Sequence, residues 1–169
     1  NQTLDRNIAA QDRRSLEVAA VQPKVLFGTK FRNKGYEIIP EPYSGSSYFK
    51  PGTELVIFPE SVLWGTRKEN PEFFNWAREA ADSSGVWMLV GQYDHDATGE
   101  VWTNSLILYD STLKESGRYD EIHPVPFSQY MPYPHILGFL RFLDFSTVDI
   151  QPANSYQPVL FKDRDLLGF

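Results

Sequence analysis

Two short apolar runs on either side of one helix-patterned segment constrain this chain more than anything else in it. "TELVIFPE" (53–60) and "VWMLVGQY" (86–93) each have a continuous apolar centre rather than an alternating one. A strand of that kind is buried on both faces. Between them, Asn70-Pro71 combines a capping side chain with proline at the first helical position, which predicts a helix start. Phe73, Ala77, Ala80 and Ser84 then recur at helical spacing, Phe74 and Ala81 widen the stripe, and Gly85 stops it. Strands that need cover on both faces, joined through an amphipathic helix, imply a layered α/β fold.

The other elements fit around that unit. "LEVAAVQ" (16–22) reads as a strand ended by Pro23, and "WTNSLILYD" (102–110) as another, after the turn "DHDATGE". "LKESGRYD" (113–120) is expected to pair back across "DST", and "ILGFLRFL" (136–143) to form a short helix. "QPVLF" and "DLLGF" are strand candidates. Residues 24–52 leave room for a helix, but "GYEIIPEPYSGSSYFKPG" is so rich in proline and glycine that a loop is expected. Residues 1–15 are polar, without an apolar stripe, and read as a tail or linker. The folded part is expected over 16–169, and an apolar run that stops at Phe169 without a turn predicts a domain cut short.

Composition removes several classes of function. The net charge is −6, the pI is near 5.0 and no basic cluster exceeds "DRR" at 12–14, which argues against a nucleic-acid surface. No run approaches the roughly 18 apolar residues that cross a bilayer. The chain contains no cysteine, so within these residues there are no disulfides, thiolate metal sites or thiol nucleophiles.

Few residues carry chemistry. Glu60 follows directly on a buried strand, and α/β enzymes assemble their sites at the carboxyl ends of strands. Residue type alone allows either a proton acceptor there or a capping or surface glutamate. "DHD" (94–96) invites a metal reading, but a polar segment with Gly99 between two strands is expected to be a solvated hairpin tip. Ser61 has neither a Gly-x-Ser-x-Gly frame nor a paired histidine. The aromatic residues at 73, 74, 76 and 87 have core spacing. His123 alone reads as structural, yet the following Pro-Val-Pro-Phe holds the backbone extended, which suits a preorganised site.

Taken in order, "VAAVQP" (18–23), "LVIFPES" (55–61), "VGQYD" (90–94), "TNSLILYD" (103–110) and "GRYDEIHPVPFSQYMPY" (117–133) resemble the nitrilase (carbon–nitrogen hydrolase) superfamily. "HPVPFSQYMPY" followed by "LRFL" is most similar to its apolipoprotein N-acyltransferase branch. The resemblance covers about residues 16–169 and implies part of a four-layer α-β-β-α sandwich with a Glu-Lys-Cys site. In such a site the glutamate deprotonates the thiol, the thiolate attacks an acyl carbonyl, and the lysine with a backbone N–H stabilises the oxyanion. In that branch a phospholipid donates the acyl group to the amino terminus of a lipoprotein, in a periplasmic domain attached to membrane helices outside these residues. No cofactor or metal is implied.

Carried onto this sequence, the resemblance makes Glu60 the general base. The family lysine falls on Glu121, of opposite charge, and a second family glutamate falls on Gln129. The cysteine would follow "DLLGF". His123, Phe127 and Tyr130 are expected to wall the substrate pocket. Two unit charges near 4 Å interact by about 4 kcal/mol at an effective dielectric of 20, so a carboxylate at 121 turns an attraction into a repulsion. Losing one oxyanion donor costs about 3–4 kcal/mol. This chain alone is therefore expected not to catalyse acyl or amide transfer. A soluble carbon–nitrogen amidase and an inactive nitrilase-fold binding or assembly module stand as alternatives. Half a sandwich is also expected to self-associate through its apolar sheet face.

Overall fold

The computed structural model describes residues 16–22, 50–139, 148–162 and 164–165. The tail expected at 1–15, nearly all of the loop expected at 24–52 and the second half of the helix expected at 136–143 lie outside them. So does most of the last strand candidate. The elements are β1 (Val18–Ala20), β2 (Leu55–Ile57), β3 (Leu63–Trp64), α1 (Pro71–Ser84), β4 (Trp87–His95), β5 (Trp102–Tyr109), β6 (Glu115–Asp120), α2 (Pro134–Leu137), β7 (Leu160–Phe161) and β8 (Arg164–Asp165).

One sheet organises the molecule, in the order β1-β2-β4-β5-β6. β1, β2 and β4 run parallel, and β4, β5 and β6 form an antiparallel meander. β3, which sequence patterning did not reveal, pairs parallel with β4 beyond the stretch taken by β2. One edge of β4 thus carries two consecutive short strands.

Side-chain alternation divides the core between the two faces. Val56, Met88, Val90, Ile107 and Tyr109 face α1 and meet Phe73, Phe74, Ala77, Ala80 and Ala81. Leu55, Leu89 and Leu108 face the other way and pack against Val159 and Phe161. The uninterrupted apolar runs have this cause: successive residues enter different cores. Burying one such side chain contributes about 1.5–3 kcal/mol, so both layers are needed to hold the central strands.

The helix ends follow the local signals, with one difference. Gly85 adopts the left-handed conformation (φ 67°) and donates its N–H to the Ala81 carbonyl at 2.7 Å. Asn70 occupies the cap position but does not cap α1 with its side chain. Its buried amide instead donates to the carbonyls of Trp64 (3.0 Å), Gly65 (3.3 Å) and Thr66 (2.9 Å), tying β3 to the helix start. Buried Gln92 adds a bond from Nε2 to the Gly65 carbonyl at 2.8 Å. The segment that follows Glu60 is held from two sides.

β4 extends further than its apolar run, taking in Asp94 and His95 and leaving Asp96 to the turn. Asp94 pairs with Arg118 (Oδ2–Nη1 2.7 Å), and the carboxylate of Asp96 accepts the Thr98 hydroxyl at 2.9 Å. His95 bridges two acceptors, with Nε2 2.7 Å from Glu69 Oε2 and Nδ1 2.8 Å from the Asp96 carbonyl. Both bonds at once require both ring nitrogens to be protonated. The bond to the Asp96 carbonyl and the Glu69 carboxylate raise the His95 pKa against the effect of burial. Burial pushes Glu69 up, but hydrogen bonds from the Thr66 N–H and hydroxyl and from His95 outweigh it, and its pKa is lowered.

These directions fix a pH window. The stability that His95 contributes is complete below its ordinary value of 6.5 and disappears as pH rises through its raised folded value. The contribution from Glu69 is complete above 4.5 and disappears as pH falls through its lowered folded value. The difference in melting temperature between the wild type and His95→Gln should therefore be greatest between pH 4.5 and 6.5 and shrink on both sides. A difference constant from pH 4 to 9 would show that the pair is not formed.

Candidate active site

Glu60 owes its position to a break in pairing along β4. The Phe58 N–H donates to the Leu89 carbonyl and the Val62 N–H to the Gly91 carbonyl, both at 2.8 Å. Three residues on one side, Pro59, Glu60 and Ser61, therefore have no matching length of β4. They swing out of the sheet and return through Ser61, a non-glycine residue with φ 52°. Backbone of that kind concentrates at functional sites. A Cβ at Gly91 would lie 2.4 Å from the Pro59 oxygen and 2.6 Å from the Glu60 Cα. Only glycine lets the excursion cross β4 so closely.

The excursion brings Glu60 to the end of β5. Asn104 Nδ2 donates to Glu60 Oε1 at 2.7 Å and to Glu121 Oε2 at 2.9 Å. Gln129 Nε2 donates to the same Glu121 oxygen at 2.6 Å, and Gln129 Oε1 accepts the Val125 N–H. The Glu121 backbone is fixed as well, its N–H donating to the Asn104 carbonyl at 2.8 Å and its carbonyl accepting from Ala153 at 2.9 Å. Glu60 and Glu121, distant in sequence, are thus joined through one asparagine, and Gln129 is joined to them through Glu121.

Beside this chain of bonds is a cavity of about 350 Å³, lined by Gly91, Leu106 and Tyr119 as well as by Glu60, Asn104 and Glu121. Among the described residues, no lysine or arginine lines it. Arg118 does not supply a cation there. Its guanidinium is committed to Asp94, Asp120, Thr103 and Ser105 at 2.7–2.9 Å. Burial works against the charge of Arg118, but Asp94 and Asp120 more than offset it and raise its pKa.

The other candidates stand on the adjoining segment and are not among the residues that line the cavity. His123 is exposed, Phe127 is 36% exposed at φ 61°, and Tyr130 is half-buried. The Phe127 N–H donates to the Tyr130 carbonyl at 2.8 Å, closing a tight turn that presents Gln129 inward, where it is buried. Sequence reasoning missed Gly91 and Asn104. The signal for Asn104 was there: an amide inside a buried strand needs a partner.

Comparison with known proteins follows the same line. No family model matches the chain. Apolipoprotein N-acyltransferase of Pasteurella multocida is 30% identical over 126 residues, 68% of this chain and 23% of the relative. That of Synechocystis sp. is 29% identical over 131 residues, 74% of this chain and 24% of the relative. Among solved structures, a carbon–nitrogen hydrolase from Helicobacter pylori superposes with a TM-score of 0.52 at 17% identity, over 89% of this chain and 49% of that one. The chain carries a nitrilase-type fold.

The sequence relatives are apolipoprotein N-acyltransferases, and the chain spans about a quarter of their length. The sheet and helix of this nitrilase-type fold position one carboxylate at the end of a parallel strand. Among the described residues, no helix is long and apolar enough to cross a membrane.

Proposed function

We propose that this chain is the base-bearing portion of an acyl-transfer domain of the apolipoprotein N-acyltransferase kind, with Glu60 as the proton acceptor. The observation that carries this reading is the excursion over Gly91, which brings the exposed Glu60 to the edge of the cavity from the end of an interior strand, beside Glu121. His123, Phe127 and Tyr130 stand on the adjoining segment, outside the cavity lining, and would meet only the part of an acyl group that extends beyond it. A phospholipid acyl donor and a lipoprotein amino terminus are the substrates of the parent enzyme, acting at the periplasmic face of the inner membrane.

This chain by itself does not turn over. It contains no cysteine, and position 121 offers a carboxylate where an oxyanion needs a donor. The test is hydrolysis of an activated acyl ester by the chain and by Glu60→Gln. No rate above blank is expected from either. A rate that Glu60→Gln leaves unchanged would refute the site assignment, and a rate that it abolishes would refute the claim that thiol and cation are indispensable.

One observation favours a second reading. Two neutral amides, Asn104 and Gln129, bond the Glu121 carboxylate directly. A site adjusted in this way to a carboxylate suits a nitrilase-fold module kept for binding or assembly, with its chemistry lost.

A further inference from the structure

We infer that Asn104 is a positioning residue that sets the Glu60 and Glu121 side chains as a pair, each held by a different hydrogen of one amide. Asn104 is 7% exposed, at the point where β5 passes both carboxylates. Its Nδ2 has two hydrogens and two acceptors, Glu60 Oε1 at 2.7 Å and Glu121 Oε2 at 2.9 Å. The assignment of the amide follows from chemistry. Turned the other way, Oδ1 would face two carboxylates with no donor between them.

The two carboxylates therefore cannot move apart by more than the two bonds end to end. A change at one is transmitted to the other through a group that carries no charge. The Asn104 carbonyl also receives the Glu121 N–H at 2.8 Å, so backbone and side chain hold residue 121 at the same point. A donor shared in this way fixes a rotamer of Glu60, an exposed residue that would otherwise be left to solvent, which is the service a proton acceptor needs from its surroundings. The inference about Glu60 as a base rests on the proposed function; the geometry of the shared amide does not.

The test is the side-chain amide resonance of Asn104 in the full 169-residue chain. Both Hδ2 protons should exchange with water slowly. Glu60→Ala should shift one of them upfield and speed its exchange by about tenfold, the loss expected for one hydrogen bond to a charged acceptor, while the other is unchanged. Glu121→Ala should do the converse. Asn104→Leu should move the carboxyl-carbon resonances of both glutamates together, whereas Thr103→Ala should move neither. Preserved backbone dispersion in each variant separates these local changes from unfolding. A single proton that answers to both alanine variants, or two that answer to neither, would overturn the shared-amide assignment. If the amide responds as described but the chain hydrolyses the activated ester above blank at a rate that Glu60→Gln leaves unchanged, the positioning stands and the proposed function falls.

Discussion

Gly91→Ala lowers the stability of the chain by about 3 kcal/mol and separates Glu60 from Asn104. The added methyl would meet the Pro59 oxygen at 2.4 Å, the Glu60 Cα at 2.6 Å and the Pro59 carbonyl carbon at 2.9 Å. All three are backbone atoms, so no rotamer change relieves the contact. Overpacking of a tight core costs about 1–3 kcal/mol and occasionally more, and a rigid neighbour places this variant at the upper end. For a chain of this size the loss corresponds to a melting temperature lower by roughly 10 °C. Gly138→Ala provides the control, since nothing lies within 4 Å of a Cβ at that position, and it should melt within a degree or two of the wild type. Equal melting temperatures for the two variants would mean that Pro59 and Glu60 do not cross β4 at Gly91.

Gln129→Glu lowers stability at neutral pH by about 2–4 kcal/mol, the scale of two like charges in contact at an effective dielectric of 20. The substitution is isosteric. Its carboxylate retains the bond from the Val125 N–H but replaces the amide that donates to Glu121 at 2.6 Å. One favourable contact becomes a repulsion between buried or half-buried groups. Glu121→Lys in the same background should recover most of the loss, because an ammonium then faces the new carboxylate. Urea unfolding of the two single variants and the double variant closes a cycle whose interaction energy isolates the 121–129 contact. Additive effects would show that the two side chains do not touch.

What the sequence made legible, and what it did not, divides along the range of the interactions. The span of α1 was readable because its signals are local: Pro71 at the start, the stripe from Phe73 to Ala81, and Gly85 adopting the left-handed turn. β2 and β4 were readable because their residues alternate between two cores. β3 was not, because Pro59 marks the end of a strand without showing that the chain rejoins the same neighbour after Ser61. That return depends on Gly91, a residue that strand patterning alone counts only as a weak point. The "DHD" segment was read as a hairpin tip, but Asp94 and His95 remain in β4 because Arg118 and Glu69 come to meet them from elsewhere in the chain.

The candidate site shows the same division. Glu60, Glu121 and Gln129 were picked out by resemblance, and the structure joins them into one hydrogen-bonded chain. Nothing in the spacing of 60, 104, 121 and 129 announces that Asn104 stands between them; that follows only from the pairing of β4 with β5 and β5 with β6. His123 was notable for the prolines after it. In the fold, the same rigid segment delivers Gln129 to Glu121 instead, while His123 stays exposed.

A crystal structure of the chain at a resolution that distinguishes side-chain amides tests the placement of Glu60 most directly. The account predicts Glu60 arched over Gly91, with its carboxylate and that of Glu121 both on the Asn104 amide. Density that puts Glu60 in open solvent, with Asn104 turned away from it, would contradict the account and remove the basis for reading this cavity as an acyl-transfer site.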